Sequence, residues 1–287
     1  MMVGRLSTAD YRRLATVLRV LGEAGLKPTL ARLGLIRTQN VQSFDDAEAE
    51  AFVRALERLG PTFVKLGQIM ATRADLLPPE LTERLSRLHD AVAPVPFEEV
   101  RSQLVDDLGA DPLEVFAEFS AVPIAAASIG QVYEARLRTG ESVVVKVRRP
   151  GIEEVMRADL RLLTAAARVI ERRAPGFRRH QPVRVVGQLA QALLEEIDFR
   201  IEARNQEDVR CRTSVFVVPR VHPQFSTSRT LVSDRIVGRS PNQAFRLSEP
   251  ALARALAPEA AQGLLALMLQ ESVFHADPPP GNVLVTS

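Results

Sequence analysis

The feature that most constrains this chain is a lysine inside a run of β-branched residues. Ser142 to Val147 reads Ser-Val-Val-Val-Lys-Val, a strand expected to bury both faces, with Lys146 within it. An ammonium buried without a partner costs several kcal/mol. Either a carboxylate from elsewhere meets Lys146, or the strand lies at a sheet edge and the lysine is solvated. Gln131 to Leu137 forms a second strand, and Thr139-Gly140-Glu141 joins the two as a β-hairpin. Carboxylates that could answer the lysine lie on a helix expected over 189–209. Glu195, Asp198 and Glu202 fall near one face at i, i+3 and i+7, and Glu196 is offset by about 100°. The alternative for this acidic run is a solvated face balanced by Arg200 and Arg204. Local spacing does not choose among the carboxylates.

The rest of the chain frames this hairpin with helices. Apolar residues recur at helical spacing from Tyr11 to Ile36 (Leu14, Val17, Leu18, Leu21, then Leu30 and Leu33), broken at Gly25 and Pro28, so two helices are expected. Further helices are expected over 44–59 and 62–72, from Pro78-Pro79 onward, and over 97–108, the last stopped by Gly109. Val115 to Phe119, Val215 to Val221 and Thr230 to Val237 read as strands, 153–173 as a long helix, 252–270 as a buried helix, and Val283 to Val285 as a final strand. The order is a helical extension, a small sheet interrupted by a long helix, and the start of a helical lobe. That order predicts an α+β, protein-kinase-like fold. Three domains are expected: 1–96, the helical extension; 97–237, a sheet-bearing lobe; and 238–287, an incomplete helical lobe.

Composition narrows the partners. At 287 residues with 46% hydrophobic residues the chain can build a substantial core. Its 37 Lys+Arg against 35 Asp+Glu leave a charge of +2, which names no polyanionic partner for the whole chain. Arginines are denser locally (Arg157, Arg161, Arg168, Arg172, Arg173, Arg178, Arg179), either as a solvated helix face or as a contact for acidic lipid headgroups. With Trp absent and two Tyr, no aromatic residues interleave with these arginines, so nucleic acid is not expected. Cys211 is the single cysteine, which excludes an internal disulfide and fits a reducing compartment. No apolar run approaches the roughly 20 residues that span a bilayer, and residues 1–13 lack a signal-peptide core. A cytoplasmic location is expected, peripheral to the inner face of the plasma membrane.

Two further segments carry candidate chemistry. Pro123-Ile-Ala-Ala-Ala-Ser-Ile-Gly-Gln131 precedes the hairpin, and its small residues let backbone N–H groups approach a phosphate; a packed tight turn is the alternative. Near the end, His275-Ala-Asp-Pro-Pro-Pro-Gly-Asn282 sets Asp277 five residues before Asn282. This is the kinase spacing in which the Asp positions or deprotonates an acceptor hydroxyl and the Asn binds Mg²⁺.

These motifs, in this order, resemble the UbiB (AarF) family of atypical protein-kinase-like proteins associated with ubiquinone biosynthesis, over nearly the whole chain. Lys65-Leu66-Gly67-Gln68 is similar to the family's KxGQ signature, although on local evidence Lys65 is only a polar position in an amphipathic helix. The resemblance implies that Lys65 contacts Glu196, the first acid of an ExD motif completed by Asp198. It also implies that Glu202 pairs with Lys146, and that Ala125, Ala126, Ala127, Ser128, Ile129, Gly130 and Val132 surround the nucleotide. ATP or ADP and Mg²⁺ are the implied cofactors, with Lys146, Glu202 and Asp277 catalytic and Asn282 on the metal. The implied activity is that of an ATPase or a small-molecule or lipid phosphotransferase regulating ubiquinone or another isoprenoid-lipid pathway, with quinone-biosynthesis proteins or an anionic membrane as partners.

Two departures from the family pattern bear on this. Pro279 stands where the family has histidine, which removes an imidazole and a backbone donor. The chain also reaches Ser287 before the Asp-Phe-Gly whose aspartate would hold the main Mg²⁺. Impaired catalysis and self-association through an incomplete helical lobe are the expectations, and a non-catalytic scaffold or lipid- or partner-binding fragment of an interrupted gene is the alternative function.

Overall fold

The computed structural model describes residues 7–25, 46–71, 79–88, 93–173, 175–239, 250–271 and 283–286. In chain order the helices are α1 (Thr8–Glu23), α2 (Asp46–Leu59), α3 (Pro61–Ala71), α4 (Pro79–Leu85), α5 (Phe97–Leu108), α6 (Pro112–Val115), α7 (Ile152–Arg173), α8 (Pro182–Glu196), α9 (Phe199–Arg212) and α10 (Pro250–Leu269). The strands are β1 (Glu118–Phe119), β2 (Ala125–Ala126), β3 (Gly130–Arg136), β4 (Ser142–Arg148) and β5 (Thr230–Asp234). The chain forms two units whose segments alternate along the sequence. A helical unit takes Met1–Val95, Ala126–Gly130 and Arg148–Ile197; a sheet unit takes Pro96–Ala125, Gln131–Val147 and Asp198–Ser287.

In the helical unit the apolar stripes of α1 to α4 meet around Val53, Leu56, Leu59, Phe63, Val64, Leu81, Leu85 and Leu88, all buried. Each buried Leu or Phe contributes about 1.5–3 kcal/mol, whereas an exposed ion pair contributes about 0–1 kcal/mol, so this stripe holds the helices together. Gly67 on α3 allows the closest approach: a Cβ there would stand 2.5 Å from Leu88 Cδ1 and 2.9 Å from Leu56 Cδ1. Two buried carboxylates add direction. Ser7 and Asp10 form a capping box at the start of α1, and Asp10 also takes Arg161 of α7 at 2.6 Å. One turn on, Arg13 grips Asp159 of α7 with two hydrogen bonds of 2.6 and 2.9 Å. Arg157 pairs with Glu153 on its own helix, so Arg157 and Arg161 leave the expected basic face.

In the sheet unit the strand order is β1-β3-β4-β5, with β2 also pairing β3. β4 pairs β5 antiparallel, in a register that sets Val145 opposite Val232 and Lys146 opposite Leu231. β4 is therefore an interior strand. Val143, Val145 and Val147 are fully buried, while Val144 and Lys146 share the other, half-buried face. The expectation that β4 buries both faces is corrected: one face is core, and the lysine lies on the other. Phe97, Phe116, Phe119, Tyr133 and Phe225 form an aromatic cluster with centroids 5.5–5.7 Å apart, covering one end of the sheet.

Three further expectations change. The helix expected over 189–209 is two helices, because Ile197 ends α8 and Asp198, in extended conformation, caps α9 by accepting from the N–H of Arg200 at 3.1 Å. Val215 to Val221 is irregular, with a single bridge from Val221 to Ser233. There Thr213 Oγ1 takes the N–H groups of Val215 and Phe216, and Pro219 has no N–H to give a ladder. Finally α10 is not buried over its described length: Leu267 is enclosed, but Leu264, Leu265, Met268 and Leu269 are 39–78% exposed.

Candidate functional site

The sheet unit answers the question Lys146 poses. Its Nζ donates to both carboxylate oxygens of Glu202 on α9, at 2.8 and 2.7 Å. Of the four carboxylates in the acidic run, the first residues of α9 deliver this one because Asp198 starts a new helix and Glu202 follows one turn later. Phe199 lies under the ammonium, 4.9 Å from ring centroid to Nζ, a cation–π contact with a buried ring. The Phe199 N–H donates to Ser228 O at 3.0 Å, tying the start of α9 to the loop before β5. The side chains of Lys146 and Glu202 remain 33% and 42% exposed. The pair is thus held by geometry and is only partly enclosed.

The helical unit contains the second pair. Lys65, on α3, places Nζ 3.2 Å from Glu196 Oε2 at the end of α8, with the two side chains 32% and 38% exposed. Gly67 is the close-packed position described above, and Gln68 Nε2 lies 3.4 Å from Leu88 O. Asp198 is occupied by its own helix and by Arg200, whose guanidinium holds its carboxyl below the usual range. It caps α9 and does not reach a lysine among the described residues.

The Ala-rich segment is a tight turn. Ala125 and Ala126 run as β2, and Ala127 N–H closes onto Gly130 O at 2.8 Å. The N–H groups of Ser128 and Ile129 donate to no main-chain carbonyl among the described residues, which leaves two donors of the kind a phosphate takes. Val132 follows on β3, half-buried, and its carbonyl accepts from Ile124 N–H at 2.8 Å. Asp277, Pro279 and Asn282 lie outside the described residues, as does the second N-terminal helix containing Leu30 and Leu33. Among the described residues no group of three or more His, Cys, Asp or Glu side chains is arranged to hold a metal ion, and Asn282, the residue assigned to the metal, lies outside them.

Comparison with known proteins decides the family. Residues 87–287 match the model of the ABC1 atypical kinase-like domain. The chain belongs to the ABC1 atypical kinase-like family. Among similar family members is a probable protein kinase UbiB of Marinobacter nauticus, 39% identical over 235 residues, covering 80% of this chain and 43% of that protein. Another, from Vibrio parahaemolyticus, is 36% identical over 296 residues, covering 98% of this chain and 54% of that protein. The chain spans about half the length of these UbiB relatives. Among solved structures, Rv3197 of Mycobacterium tuberculosis in complex with erythromycin superposes with a TM-score of 0.59 at 25% identity, over 84% of this chain and 63% of that one. The kinase-like, α+β fold read from the sequence is thereby shown.

The sequence reading missed the aromatic support of the lysine and the His222–Asp234 contact, where Nε2 and Oδ1 are 2.7 Å apart beside β5. A signal for Phe199 was available. The buried positions Val186, Leu189, Leu193 and Ile197 keep helical period, and Phe199, also buried, falls out of phase two residues later. No helix among the described residues is long and apolar enough to cross a membrane.

Proposed function

We propose that this protein binds ATP or ADP with Mg²⁺ and acts as an atypical kinase-like ATPase or small-molecule or lipid phosphotransferase, regulating ubiquinone or other isoprenoid-lipid biosynthesis. The observation that carries this reading is the two-pronged Lys146–Glu202 contact on an interior strand of the sheet. Glu202 holds the ammonium in place, and Lys146 donates to phosphate oxygens. Asp277 would accept the proton of an acceptor hydroxyl, and Asn282 would hold the metal, which neutralises phosphate charge when bound.

The pathway and the partners are proposals carried by the UbiB relatives. An anionic membrane surface has one additional observation behind it: Arg168, Arg172 and Arg178 line, with Glu171 and Gln181, a shallow open cavity of about 540 Å³. The deciding experiment is Mg²⁺-dependent ATP turnover together with nucleotide-induced thermal stabilisation of the purified chain. Both are expected in the parent protein and lost in Lys146→Ala. Folded protein that neither turns over ATP nor gains stability with nucleotide would sink the reading. Binding to vesicles of anionic lipid without any nucleotide response would then favour a non-catalytic scaffold.

A further inference from the structure

Two arginines stand at the end of the lysine strand: Arg148 is the last residue of β4 and Arg149 follows it. Arg148 is 9% exposed, and its Nη1 donates to Ile197 O at 2.9 Å. That carbonyl belongs to the C-cap of α8, one of the groups a helix end leaves without an internal partner. A cation is favoured at that end of a helix by the dipole as well. The charge of Arg148 is met by Glu153 at 3.0 Å, so the side chain is both buried and balanced. Ile197 is the middle residue of Glu196-Ile197-Asp198, where α8 stops and α9 begins.

Arg149 gathers the other segments. Its main-chain N–H donates to Ile129 O at 2.8 Å, its Nε to Ala127 O at 2.9 Å, and its Nη2 to Ala93 O at 2.7 Å. Peptide planarity gives these contacts a consequence. In a trans peptide the C=O of one residue and the N–H of the next point in opposite directions. Holding the Ala127 carbonyl toward Arg149 therefore fixes the direction of the Ser128 N–H, one of the two turn donors that no main-chain carbonyl takes among the described residues. A guanidinium suits this role because its rigid planar fork reaches two separated acceptors at once, whereas an ammonium on a flexible stem does not hold both.

We infer that Arg149 is a positioning residue of the Ala-rich turn, fixing the Ser128 N–H as a donor to phosphate, and that Arg148 fixes the end of α8 at Ile197. This rests on the reading of the turn as a nucleotide-binding segment.

The test compares the full chain with Arg149→Lys, Arg149→Ala, Arg148→Lys and Lys146→Ala. Calorimetry measures ATP and adenosine binding, and hydrogen–deuterium exchange follows residues 127–130 and 196–200. Loss of one oriented, charge-assisted donor predicts about tenfold weaker ATP binding in Arg149→Lys, with adenosine affinity unchanged because adenosine has no phosphate to read the turn. Exchange at 127–130 rises in Arg149→Lys, and exchange at 196–200 rises in Arg148→Lys. A parent protein that binds ATP, with Lys146→Ala not binding and both Arg149 variants binding like the parent, overturns the inference and leaves the nucleotide reading standing. If the parent binds no nucleotide, that reading fails by itself, and the exchange data still judge the arginines: unchanged exchange in both lysine variants overturns their positioning role. Should Arg149→Ala not fold, Arg149→Lys, which keeps the charge, carries the test.

Discussion

The two units use charge in opposite ways. In the helical unit, the side chains of Asp10 and Asp159 are each 1% exposed, and each is held by an arginine fork. In the sheet unit, Lys146 and Glu202 form an equally short contact but remain 33% and 42% exposed. A buried carboxylate whose partner is removed leaves an uncompensated charge in a low-dielectric interior, so such a pair fixes the packing around it. A pair exposed to that extent adds little stability, and under the proposed function its oriented ammonium serves to bind an anion. The Lys65–Glu196 pair belongs to the helical unit yet has the exposure of the other kind, with a single contact at 3.2 Å. Burial therefore separates struts from sites better than membership of a unit does.

The strongest way to break this comparison is to exchange the two kinds of damage. Arg13→Ala leaves Asp159 buried without its fork and should cost about 3 kcal/mol in denaturant unfolding, while ATP affinity stays within about twofold of the parent. Lys146→Ala should do the reverse, losing ATP binding with less than about 1 kcal/mol change in stability. If Arg13→Ala abolished nucleotide binding in folded protein, the division between strut and site would be wrong.

Acid sharpens the same point. Arg161 holds the Asp10 carboxyl down to about 2, whereas burial pushes Asp159 up against the opposing effect of Arg13. A depressed carboxyl contributes stability that is fully present above its unfolded value near 3.8 and is lost as pH falls through about 2. A raised one acts oppositely: its cost at neutral pH is relieved once it protonates. Asp10→Asn should thus lower stability at pH 6 by roughly 1–2 kcal/mol, and the gap to the parent should close between about pH 4 and pH 2 in urea titrations. A gap that stayed constant across that window would show that Asp10 acts only as a helix cap.

Much of the site was legible because its parts announce themselves locally. A lysine among valines calls for either a carboxylate or a solvated sheet edge, and the hairpin turn, the Gly109 stop and the small-residue turn were all read from residue type. What local reading could not supply was the choice among four acids, which depends on the break at Ile197–Asp198. Apolar period runs through that break until Phe199 falls out of phase, and a capping aspartate looks like any other member of an acidic run. The partner of Arg161 was out of reach for a related reason. Arg161 meets Asp10, 151 residues away, and no spacing rule sees a partner at that distance. Val215 to Val221 had strand composition, but Thr213 and Pro219 use or remove the donors a ladder needs.

Gly67 offers a smaller effect on the helical unit alone. Its added Cβ would meet Leu88, Leu56 and Leu85, whose side chains are nearly fully enclosed. Overpacking of this kind costs about 1–3 kcal/mol, and the better helix propensity of alanine returns up to about 1 kcal/mol. Gly67→Ala should therefore destabilise by about 1 kcal/mol in thermal or urea melts. Unchanged or increased stability would mean that the three leucines yield freely and that the glycine is not there for packing.

The smallest expected effect sets the two lysine pairs against each other directly. Glu196→Gln removes one exposed contact at 3.2 Å, and its unfolding free energy should stay within about 0.5 kcal/mol of the parent. Glu202→Gln is equally mild for stability, but it replaces a carboxylate that accepts twice from Lys146 with an amide that can accept through only one atom. The ammonium then loses its orientation, and ATP affinity should fall about tenfold in Glu202→Gln while remaining within about twofold in Glu196→Gln. Parallel melts and calorimetric titrations of the two variants distinguish the cases. Equal losses of ATP affinity would mean that the single contact at Lys65 orients the nucleotide site as strongly as the double contact at Lys146, and exposure with contact number would no longer rank the two pairs.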